Sequence, residues 1–182
     1  MTDFYDANAL QQVAINLFYG WGYNFYRTEN QLRADDQLVR AKVSWLLGRA
    51  RAAVEAGEVQ WRREKLPPPS RAHPFPDAEA VAGAQALELL AREIGRLKGQ
   101  IENLPVPEND RMTQRYRQEA ATLEALALQD ALLVGQADLL CARAEGGDGA
   151  ALIASKSELQ QGLKAISETL HQRESLLHAK LG

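Results

Sequence analysis

The sequence predicts an all-α fold: an antiparallel bundle of four or five long helices with coiled-coil-like seams. Three observations lead there. Long segments carry leucine and alanine at alternating spacings of three and four, the period of one helical face. Only one short aromatic stretch alternates in the manner of a strand, and nothing else in the chain offers it a pairing partner. The connections between periodic segments are brief and marked by proline or glycine, and short connections make neighbouring helices antiparallel. A chain of 182 residues sets one domain, 1–182, as the default.

The first element, residues 1–33, is read as an aromatic-rich N-terminal helix. Asp6 is placed to cap a helix starting near Ala7, and Leu10, Val13, Ala14, Leu17, Trp21 and Phe25 form one face. Ala7 to Tyr26 carries no charge, and eight of the chain's twelve aromatics lie before position 27. Gly20 and Gly22 weaken the helix locally and make a bend there reasonable. Phe25, Leu32, Val39, Leu46 and Ala53 keep a heptad spacing, which favours continuity past Arg33 into the next segment.

Residues 35–104 read as a helical hairpin. Its first arm buries Val39, Val43, Leu46, Leu47, Ala50 and Val54, with Trp45 beside them. Pro67, Pro68 and Pro69, then Pro74 and Pro76, end that arm and make 66–76 an extended proline-rich connector. Asp77 is the expected N-cap of the second arm, whose seam is Leu87, Leu90, Ile94, Leu97, Ile101 and Leu104. Residues 108–181 form a second hairpin about the turn 146–149 (Gly-Gly-Asp-Gly). One arm has Met112, Tyr116, Leu126, Leu133 and Leu140 on its stripe; the other has Leu152, Leu159, Leu163, Ile166 and Leu170.

Composition narrows the function. A net charge of −3 is the wrong balance for a dedicated nucleic-acid binder, which usually carries a basic excess. The single cysteine, Cys141, excludes an intrachain disulfide and a thiolate zinc knuckle, and its place beside Leu139 and Leu140 suits a small buried hydrophobe. Only Asp3 and Asp6 precede the uncharged opening, where a secretion signal would carry Lys or Arg. Asn8, Gln11, Gln12, Asn16 and Asn24 make that opening costly as a membrane span, so no transmembrane segment and a cytoplasmic location are expected.

Two patterns could carry chemistry or charge recognition. Glu168, His171 and Glu174 recur at intervals of three on the last helix, and Glu-x-x-His is the pair used by di-metal carboxylate bundles. Such a centre needs the pair twice, and there is no second copy; Leu170 also holds the seam, placing His171 at its flank. A metal-binding bundle or di-metal enzyme is therefore an alternative only. Residues 40–71 carry eight basic groups against three acids, with Trp61, Arg62, Arg63 and Lys65 as a basic patch. That patch supplies a second alternative, peripheral binding to anionic lipid or nucleic acid.

No nucleophile–base pair, phosphate loop or dinucleotide fingerprint is present in the sequence, so no catalytic residue and no cofactor are expected. The reading that remains is a non-catalytic interaction protein: an adaptor, assembly component or small chaperone. Its contact residues are Tyr19, Trp21, Tyr23, Phe25 and Tyr26, because tyrosine and tryptophan bury large area at low entropy cost. Tyr19, Tyr23 and Tyr26 fall on a face rotated from Leu17, Trp21 and Phe25, available to another protein or a second copy in a homo-oligomer.

Overall fold

A computed structural model describes residues 3–19, 32–71, 74–104 and 120–178. Six helices pack against one another, and no strand occurs among the described residues. They are α1 (Ala7–Phe18), α2 (Leu32–Lys65), α3 (Ala78–Glu102), α4 (Ala120–Glu145), α5 (Gly149–Ala154) and α6 (Lys156–His178). Whether the first two helices are one rod, and where the helix expected from residue 108 begins, are questions that fall on 20–31 and 105–119, outside the described residues.

Local chemistry explains the helix ends. Asp6, Asp77 and Asp148 each accept a hydrogen bond from the backbone N–H three residues on, at 3.2, 2.8 and 2.9 Å, satisfying donors that the first helical turn leaves open. The proline run stops α2 at Lys65, and Leu66 N–H closes on Arg62 O. The final arm is not one helix from the turn onward. It breaks at Ser155, whose hydroxyl donates back to Ala151 O at 2.9 Å, a bond that bends helices at serine.

The core is built from the predicted stripes. Val39, Val43, Leu47, Ala50 and Val54 of α2 meet Leu87, Leu90, Ile94, Leu97 and Ile101 of α3, all of them buried. The helix α2 packs on α3, α4 and α5; α4 packs on α1, α2 and α6. Because α4 has neighbours on three sides, its burial extends well beyond a single stripe to Val134, Gly135, Gln136, Ala137, Cys141 and Ala144. The stretch Glu124–Glu145 is long and apolar enough to cross a membrane, and 56% of its apolar window is buried inside the fold.

Two glycines let the N-terminal arm lie close. A Cβ at Gly135 would stand 2.5 Å from Leu10 O, and one at Gly162 would stand 2.5 Å from Phe4 Cζ. Phe4 is buried between α4 and α6, with the Arg143 guanidinium over its ring at 4.9 Å and its carbonyl accepting from Gln136 Nε2 at 3.0 Å. Tyr5 OH donates to Glu168 Oε2 at 3.1 Å. The segment preceding α1 thus fastens α4 and α6 together.

Candidate functional site

The aromatic opening divides in the structure. Phe4 and Phe18 are core residues, while Tyr5 is half exposed and Tyr19, directly after α1, is 87% exposed. Trp21, Tyr23, Phe25 and Tyr26 lie outside the described residues. On α1 itself Leu10, Ala14 and Phe18 face α4, and the opposite side presents Asn8, Gln12, Ile15 and Asn16 to solvent without a charge. Ile15 and Tyr19, one turn apart, put exposed carbon on that side.

The basic patch combines a half-buried tryptophan with three exposed cations. Trp61 is half-buried: its indole N–H donates to Ala80 O at 2.8 Å, and its ring fills the space over Gly83, where a Cβ would stand 2.8 Å from Cε2. Arg62 pairs with Glu58 one turn back, and its Nη2 lies 3.7 Å from Glu88. Lys65 Nζ sits 5.9 Å from the Trp61 ring centroid, and Arg63 is exposed. Pairing Arg62 with two carboxylates cuts the field the sequence suggests, although cations and acids at exposed positions contribute little stability.

Glu168, His171 and Glu174 share a helix but do not converge. Glu168 is held by the Tyr5 hydroxyl, with Lys164 Nζ 3.6 Å away, and His171 is exposed. Among the described residues no three His, Cys, Asp or Glu side chains stand close enough to hold a metal ion.

What sequence reasoning missed is a buried ionic network joining three helices. Arg173 of α6, 3% exposed, donates from Nη2 to Asp36 Oδ1 of α2 at 2.6 Å and from Nε to Asp130 Oδ1 of α4 at 2.5 Å. Asp36 also faces Arg40, whose Nη2 is 2.8 Å from Oδ2, while Arg40 Nη1 donates to Leu104 O at 2.7 Å. Two carboxylates and two guanidinium groups cancel, which is the condition for burying them together. The signal was present in the register: Arg173 continues the heptad of Leu159 and Ile166, and Asp36 stands three before Val39.

A second polar cluster lies where α2 meets α4. Lys42 Nζ and Arg49 Cζ stand 4.5 and 4.8 Å from the Trp45 ring centroid, and Arg49 grips Glu145 through two nitrogens at 2.8 and 2.6 Å. Burial lifts the Asp138 carboxyl above its ordinary range, opposed by Lys42 and Arg49. Burial, together with Glu145 beside it, pushes the Cys141 thiol up to about 11, so it stays protonated and unreactive at neutral pH.

Next to this cluster an open groove runs between the first half of α2 and the last turns of α3. It is a shallow depression of about 510 Å³, lined by Arg40, Ser44, Trp45, Lys98, Ile101 and Leu104 among others. No family model, characterised protein or solved structure matches this chain.

Proposed function

We propose that this protein is a non-catalytic interaction protein, an adaptor, assembly component or small chaperone that works through protein–protein contacts. Its helices run antiparallel with coiled-coil-like seams in the cytoplasm, and a second copy or another protein covers the outer side of α1 and the aromatic residues that follow. The observation that carries this reading is the uncharged solvent side of α1, with Ile15 and Tyr19 exposed on it. A helix facing only water ordinarily displays charge there, whereas the centre of an interface is depleted of charge and enriched in aromatics. The ionic groups that converge among the described residues support the same reading, because they are engaged with one another across helix boundaries rather than arranged around a reacting atom.

Light scattering of the purified chain at micromolar concentration, with affinity capture from its native cell lysate, tests this. Either a mass above the 20.1 kDa of one chain or a stoichiometric co-purifying protein is expected, in each case lost on Ile15→Ser/Tyr19→Ser substitution. A strict monomer that captures nothing would overturn it.

A further inference from the structure

We infer that the α2–α3 groove is a binding site for a small organic monocarboxylate with an apolar body. The site is separate from the outer side of α1, and it stands or falls apart from the interaction role. Its volume, about 510 Å³, lies within the range of small-ligand pockets.

Two donors carry the inference. Ser44 is buried and its hydroxyl oxygen has no hydrogen-bond partner among the described residues; the same holds for Arg40 Nε. Both residues line the groove, one helical turn apart on the same side of α2. Arg40 Nη1 donates to Leu104 O, and Nη2 is ion-paired at 2.8 Å with Asp36 Oδ2, an oxygen that itself has no hydrogen bond among the described residues; Nε is left over. Buried donors without acceptors are rare in folded proteins and call for a partner. A carboxylate offers two acceptor oxygens, one for each of these donors, once the side chains that cover them move aside.

The remaining lining selects among anions. Asp36 holds Arg40 and Glu102 holds Lys98, so the charges about the groove balance, and the partly exposed Lys98 is the cation on which a single carboxylate can draw. Lys98 is already held to Glu102 at 2.6 Å, so a dianion would be left undercompensated. A cationic ligand is disfavoured because Lys42 and Arg49 already lie against the Trp45 ring. Carbon makes up the rest of the wall: Trp45 is half exposed beside it, and Ile101 and Leu104 extend it. Such a wall takes an aryl or short alkyl body.

The experiment uses the ¹⁵N-labelled full chain and titrates 4-phenylbutyrate against its uncharged amide. The Trp45 indole resonance is identified by its disappearance in Trp45→Phe. Saturable binding that shifts that resonance is expected, with the amide weaker by about tenfold or more. Ser44→Ala and Lys98→Met should each weaken the acid by about threefold or more, while Val59→Ser, exposed and outside the groove, leaves it unchanged. No saturation by about 10 mM, equal binding of acid and amide, or undiminished affinity in Ser44→Ala would each overturn the site. Lys98→Met, altering a partly exposed side chain, decides the matter by the same criterion if Ser44→Ala proves unstable.

Discussion

Arg173→Met is the substitution that most directly probes how this bundle is held together. The change keeps an unbranched apolar stem of similar length and deletes the guanidinium that bridges Asp36 and Asp130 at 2.6 and 2.5 Å. Each of those carboxylates is 1% exposed, so water does not replace what is lost. Breaking a buried pair by removing one partner costs about 3–5 kcal/mol, because it strands an uncompensated charge. For a chain of this size that corresponds to a drop in Tm of about 6–20 °C. The assay is urea unfolding followed by circular dichroism at 222 nm, with Arg51→Met as the control. Arg51 pairs with Glu55 at 2.8 Å but both side chains are half exposed, and such a pair is worth about 0–1 kcal/mol. A companion variant, Asp130→Asn/Arg173→Met, removes the stranded charge while Asp36 keeps Arg40, and should lie closer to wild type than Arg173→Met alone. If Arg173→Met costs no more than Arg51→Met, the network is not what joins α2, α4 and α6.

Three further outcomes follow from the packing and the thiol. Gly135→Ala should destabilise by about 1–3 kcal/mol, since its Cβ meets the Leu10 backbone, whereas Gly99→Ala, with open space around it, should stabilise by up to about 1 kcal/mol; chemical denaturation measures both. Phe4→Ala should cost about 3–5 kcal/mol and raise amide exchange throughout α1 before the rest of the fold opens, which hydrogen exchange would resolve. Cys141 should resist a thiol reagent at pH 8 until the protein is unfolded. Its folded value near 11 lies above the ordinary 9.0, so its contribution to stability is complete below about pH 9 and declines as pH rises toward 11; Cys141→Ala should lack that decline in denaturation curves taken across the interval.

The sequence made the stripes and the stops plain because both depend on local chemistry. Val39 to Val54 and Leu87 to Ile101 are buried where their spacing puts them, and Asp6 and Asp77 cap as their positions suggest. The all-round burial of α4 was harder to see, since a helix apolar on most sides has no stripe to announce its neighbours; Gly135 and Gln136 look like surface or linker residues until α1 is placed over them. Asp36, Asp130 and Arg173 were hidden for a different reason. A charged residue is ordinarily solvated, and only the meeting of three helices, with Arg40 as the fourth member, makes the neutrality of the group visible. Trp61 is mixed: Arg62, Arg63 and Lys65 around it are exposed as their charges suggest, while its own indole N–H is spent on Ala80 O.

The seat of Phe4 has a consequence for how this chain comes off the ribosome. Its floor is Gly162 and its lid is Arg143, both far downstream, so Phe4 has nowhere to settle until the chain has been made through α6. Until then the oily segment around Phe4 must travel unhoused. This corner of the fold closes only when α4 and α6 meet Phe4, and a contact between such distant parts of the chain is among the slower ones to form.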